Sequence, residues 1–102
     1  MTSDLLARLD ASPFLRIEHR GPYALLCCPP TGRTIGSVDE RTGLLTVDVD
    51  REFVGPLLDR HPQLGVTAGG VRLDAAAPAA DAIVRWRIDL ELFAPQLGAA
   101  SP

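Results

Sequence analysis

The sequence predicts an α+β fold: an antiparallel β-meander of five to six strands with one or two short helices packed on one face. Three observations carry that expectation. Short segments with strict two-residue alternation, separated by glycine- and proline-rich turns, fill the first half of the chain. Two stretches, near Leu5–Leu9 and Phe53–His61, instead repeat their apolar residues at helical spacing. Finally, Val84 to Leu92 alternates apolar and charged side chains without an error, which as a strand places Val84, Trp86, Ile88, Leu90 and Leu92 on one face. Arg85, Arg87, Asp89 and Glu91 then share the other, wet face.

Residues 3 to 10 read as a helix. Ser3 is suited to accept a backbone N–H, Asp4 to sit at the positive end of the dipole, and Leu5, Leu6 and Leu9 to share a face. Ser12-Pro13 closes it, because a residue before proline is pushed out of the helical region. Phe14 to His19 alternates, with Leu15 and Ile17 inward, and Arg20-Gly21-Pro22 is a turn. Tyr23 to Cys28 is apolar on both faces, the mark of a central strand covered on both sides, and Pro29-Pro30-Thr31-Gly32 ends it. Arg33 to Val38 follows, with Ile35 and Val38 buried, then the turn Asp39 to Gly43. Leu44 to Asp50 sends Leu45, Val47 and Val49 inward.

Asp50 reads as a helix N-cap. Phe53, Val54, Leu57, Leu58 and His61 recur at helical spacing behind it. Gly55-Pro56 implies either a kink or a helix that starts at Gly55, since an interior proline loses a hydrogen bond and clashes with the preceding turn. Pro62 ends the helix. Gly65 to Asp74 contains one strand, firmest over Val71–Leu73, with Gly69-Gly70 as a bulge or bend. Asp74 to Ala82 is an alanine-rich linker to the strand Ile83–Phe93. A helix over residues 79–97 is the alternative: Ile83, Trp86, Leu90, Phe93 and Leu97 fit its spacing. It loses ground because it scatters Val84, Ile88 and Leu92 among the charges. The domain spans residues 1–94, and residues 95–102 form a flexible tail.

Composition narrows the function classes. The 102 residues suit one domain with a modest core, and the net charge of −3 is scattered rather than clustered. All ten positive charges are arginine, which points to the coding bias of a GC-rich, bacterial genome. Nucleic-acid binding needs clustered positive charge to replace condensed counterions, and is not expected. No apolar run approaches the roughly 20 residues of a membrane helix. The N-terminus lacks the basic and apolar regions of a signal peptide, so the expected location is cytoplasmic.

No catalytic or metal-binding constellation is complete. Cys27-Cys28 are adjacent, so as strand residues they diverge, and no C-x-x-C pair accompanies them. His61 is explained by a helix C-terminus, and His19 opens a turn without a flanking nucleophile motif. Asp48 and Asp50 read as a solvated face and a cap, and Gly65 to Val71 lacks the lysine of a P-loop. The expected function is therefore a small noncatalytic protein-interaction module, of adaptor, regulatory or immunity type, without cofactors, nucleic acid or membrane as partners. Self-association through the C-terminal strand is one form of it. Arg85 and Arg87 would meet Glu91 and Asp89 of an antiparallel second copy. The alternative is a small-molecule-binding domain or minor enzyme, with a pocket between sheet and helix near Tyr23, Cys27, His61 and Trp86.

Overall fold

The structure, a computed structural model, describes residues 2–10 and 12–100, with side chains over 5–10 and 12–93. The capping roles of Ser3 and Asp4, and positions 101–102 of the expected tail, lie outside the described residues. The elements run α1 (Thr2–Asp10), β1 (Arg16–Arg20), β2 (Tyr23–Cys28), β3 (Arg33–Asp39), β4 (Leu44–Asp48), α2 (Arg51–Arg60), β5 (Gly65–Thr67), β6 (Gly70–Asp74) and α3 (Pro78–Ala100). The strands form one open antiparallel sheet in the order β1-β2-β3-β4-β6-β5.

The α+β class and the antiparallel meander therefore hold. Gly21, Gly32 and Gly43 each take a positive φ at the hairpin turns that join β1 to β4, a conformation in which a Cβ would be strained. The Gly43 N–H closes its turn onto the Asp39 carbonyl at 2.7 Å. Ile35 and Val38 are both buried although an odd spacing should put them on opposite faces. The register explains it: Leu26 opposes Gly36 while Cys27 opposes Thr34, so Ile35 is an extra residue, a β-bulge that restores both side chains to the core.

The three helices cover one face of the sheet. Leu5, Leu6 and Leu9 of α1, Leu57 of α2, and Ile83, Val84 and Ile88 of α3 meet Ala24, Leu26, Val38, Leu45, Val47 and Val71 in a single core. β2 is interior in the sheet as expected, but only its Ala24, Leu26 and Cys28 side lies under the helices. Leu25 and Cys27 line up instead with Ser37, Thr46 and Thr34 on the bare face, where small hydroxyls dominate. Both sheet edges resist further pairing: β5 is three residues long and β1 carries Arg16, Glu18 and Arg20.

Two expectations are corrected and one open choice is decided. Residues 65–74 form a hairpin, not one bulged strand, with Ala68-Gly69 as its turn. Gly70 then approaches β4 so closely that a Cβ would lie 2.0 Å from the Val47 carbonyl oxygen, so the glycine is there for lack of a side chain. Of the two arrangements open for α2, the structure takes the helix that starts behind Asp50: it begins at Arg51 and runs through Pro56. Asp50 holds the N-cap position, but its side chain makes no capping hydrogen bond.

The largest correction concerns Ile83–Phe93, which is helix and not strand. It belongs to α3, whose 23 residues make it the longest element, in place of the one or two short helices expected. The backbone is helical through Ala100. Ala80, Ile83, Val84, Arg87, Ile88 and Glu91 form its buried side, at the i, i+3, i+4 spacing of a helix. Two of those six are charged, and they are the reason the segment imitates a strand: an inward arginine and an inward glutamate complete the alternation that an apolar pair would have broken.

Candidate functional site

α3 lies across β3 and β4 beside α1, and its turns sort the expected interface residues onto different sides. Arg87 and Glu91 point inward and are only 6% and 3% exposed. They pair with each other one turn apart, Nη1 to Oε1 at 3.0 Å. The Arg87 Nε–H donates to the Asp48 carbonyl at the end of β4, and Arg33, at the start of β3, brings its Nη1 to 3.6 Å from the same Glu91 oxygen. A buried arginine is thus held by one carboxylate and one carbonyl, with an exposed arginine as the lid. The adjoining cleft, about 310 Å³, is lined further by Asp50, Glu52, Phe53 and Leu90.

Arg85 and Asp89 point outward. Arg85 places its Nε 3.4 Å from Asp81, which also receives Arg8 of α1 at 3.6 Å. Among the described residues Asp89 has no ion-pair partner within 4 Å. The cross-strand pairing expected of Arg85, Arg87, Asp89 and Glu91 is therefore corrected: a helix cannot present four consecutive alternating charges on one side, and Arg87 and Glu91 satisfy each other within the chain.

The second expected site is likewise dispersed. Tyr23 and Cys27 lie on the bare face of the sheet, and Trp86 lies on the helical face, so the sheet stands between them. The Arg41 guanidinium sits 6.0 Å from the Tyr23 ring centre. The Cys27 thiol is 3.7 Å from the Thr34 hydroxyl and donates to Glu18 at 3.9 Å. His61 caps the C-terminus of α2, its backbone N–H donating to the Leu57 carbonyl at 2.8 Å. Trp86 meets Phe53 of α2 edge to face, with ring centres 6.0 Å apart and planes at 73°. The hollow beside that pair holds about 130 Å³, well short of the roughly 300 Å³ at which ligand pockets begin. No set of three or more His, Cys, Asp or Glu side chains among the described residues could hold a metal ion, and no helix among them is long and apolar enough to cross a membrane.

A different surface emerges from the fold. Over Pro78–Phe93 the exposed residues of α3 are Pro78, Ala82, Arg85, Asp89 and Phe93, which form one stripe along its outer side. Beside the stripe, α1 and α3 enclose a groove of about 420 Å³ lined by Arg8, Leu9, Ser12, Phe14, Ile88 and the two stripe residues Arg85 and Asp89. Phe14 is 48% exposed there, and Phe93 is 57% exposed at the end of the stripe. The Phe14 segment is held by hydrogen bonds from the Ser12 N–H to the Leu9 carbonyl at 3.0 Å and from the Phe14 N–H to the Ser12 hydroxyl at 3.2 Å. Sequence reading missed the stripe that joins Ala82 to Phe93 because it laid residues 83–93 flat; the four- and three-residue spacing was the available signal, whereas nothing in the sequence brings Phe14 to its side.

Comparison of the chain with protein-family models, with curated proteins and with solved structures finds no match.

Proposed function

We propose that this chain is a small noncatalytic protein-interaction module, an adaptor or regulatory partner, that engages its partner with the outer stripe of α3 and the adjoining α1–α3 groove. The observation that carries this reading is the pair of half-exposed phenylalanines, Phe14 and Phe93, flanking Arg85 and Asp89 on one side of the molecule. Aromatic side chains and arginine are the residue types that interfaces concentrate. A rigid helix face beside a preformed groove also loses little conformational entropy when it is covered.

The test is site-directed photo-crosslinking in the native host, with a photoreactive residue at Ala82 on the stripe or at Arg72 on the bare sheet face. Discrete protein adducts are expected from position 82 and not from 72. Equal yields from both positions, or adducts from 72 alone, remove the reading. The competing reading, a small-molecule-binding domain, draws on the same groove because its volume is within the range of ligand sites. That reading predicts ligand-dependent protection of Phe14 without protein adducts.

A further inference from the structure

We propose that the partner on this surface is a second copy of the chain, with the two α3 helices packed antiparallel about a two-fold axis that crosses the outer stripe midway between Arg85 and Asp89. The inference rests on the reading of α3 as the docking surface and adds the identity and register of what docks there.

The stripe itself specifies the arrangement. Pro78, Ala82, Arg85, Asp89 and Phe93 are separated by four, three, four and four residues, the spacing that keeps them on one face of the helix. In an antiparallel two-fold pair, residues that face each other have numbers adding to a constant, because the same patch is used twice in opposite directions. An axis midway between Arg85 and Asp89 sets Arg85 of each copy opposite Asp89 of the other. The same axis brings Phe93 over Ala82 of the other copy, to within one residue of register, so the bulkiest side chain of the stripe meets one of its smallest. A parallel pair in register would instead set Arg85 on Arg85 and Asp89 on Asp89, which repel.

Asp89 is open to this use, and Arg85 can turn to it from the exposed Asp81 pair it shares with Arg8. Asp89 has no ion-pair partner among the described residues, and the Arg85 side chain is 71% exposed with its Nε toward Asp81. Phe14, beside Arg85 and Asp89 in the groove, then flanks the axis on both copies and covers the ion pairs from solvent. The self-complementary charges of the sequence therefore survive the change from strand to helix, reduced to the two that face outward.

The full chain is examined by sedimentation velocity over a concentration series. The wild-type chain is expected to form a dimer. Arg85→Asp puts two acids on each stripe, and Asp89→Arg puts two bases there; each is expected to weaken the dimer tenfold or more. An equimolar mixture of the two variants restores opposite charges at both crossings and is expected to form a heterodimer as tight as the wild-type dimer. Circular dichroism confirms that each variant is folded. Ala82→Arg, which fills the space opposite Phe93 without altering the Asp81–Arg85 pair, is the second route and is also expected to give monomers.

A wild-type chain that stays monomeric up to roughly 100 μM, an affinity too weak to matter for a specific dimer, overturns the inference. So does a dimer indifferent to all three substitutions, or a mixture that remains monomeric. If the wild-type chain is monomeric while position 82 still crosslinks to a different protein, the second copy is refuted and the interaction reading stands.

Discussion

Replacing Glu91 by alanine tests the most unusual packing in the molecule. Arg87 and Glu91 are 6% and 3% exposed, so both ends of the pair have left water, and the pair must repay that desolvation within the protein. With Glu91 removed, Arg87 keeps the Asp48 carbonyl but loses the carboxylate 3.0 Å from its Nη1. Arg33, now without the Glu91 oxygen it approached at 3.6 Å, adds a second positive charge nearby. Breaking a buried pair by removing one partner costs about 3–5 kcal/mol. The surviving carbonyl bond places Glu91→Ala toward the lower figure, about 3 kcal/mol, which is some 12 °C or more of melting temperature in a domain of this size. Arg87→Met should cost a similar amount or somewhat less, because it leaves the buried Glu91 with only the exposed Arg33 at 3.6 Å. The double variant Arg87→Met/Glu91→Leu removes both charges and fills the space with apolar atoms, so it should lie within about 1 kcal/mol of wild type or above it. Urea unfolding of wild type, Arg87→Met, Glu91→Leu and the double variant gives the cycle, with an unchanged m-value as the check that the denatured state is the same. Single losses under about 0.5 kcal/mol, or losses that simply add in the double variant, would refute the claim that these charges are buried and coupled.

The sheet leads to two further expected outcomes. Gly70→Ala forces a methyl group to within 2.0 Å of the Val47 carbonyl oxygen and 2.8 Å of the Val49 nitrogen, so β6 must move away from β4. A loss of about 2–3 kcal/mol is expected in thermal or urea unfolding, and a neutral result would mean that the β4–β6 junction is looser than described. On β1, the hydrogen bond from Arg20, at 2.8 Å, and its charge hold the Glu18 carboxyl below the usual range. A depressed folded-state pKa favours folding above the unfolded value, and this is lost as pH falls through the folded one. Arg20→Gln should therefore raise the Glu18 titration midpoint in a carboxyl-carbon NMR titration, and an unmoved midpoint would sink the assignment.

The readable parts of the fold are those whose signal is local. Leu5, Leu6 and Leu9 share a helix face in sequence and a core in space, and the turn glycines at 21, 32 and 43 need no distant partner to be recognised. The β5–β6 hairpin was less legible because its turn, Ala68-Gly69, is followed by a second glycine that serves another purpose. Gly70 makes room for the Val47 carbonyl, which is a tertiary requirement that resembles a bulge signal in one dimension.

The misreading of residues 83–93 has a sharper cause. Binary patterning assumes that charged side chains face water, and under that assumption the segment scores as a perfect strand. The side that the helix buries becomes visible only when Arg87 and Glu91 are allowed inward, and nothing near them in sequence announces that β4 will offer the Asp48 carbonyl or β3 the Arg33 guanidinium. Once the two inward charges are paired off, the remaining two fall on the outer stripe with Ala82 and Phe93. The same four charged residues thus sort into two pairs that a flat reading merges: one fastens α3 to the sheet, and the other lies on the outer stripe, where the proposed partner would dock. A substitution at Arg87 or Glu91 should therefore act on stability and one at Arg85 or Asp89 on association, and it is this division of effects that distinguishes the helix from the strand it imitates.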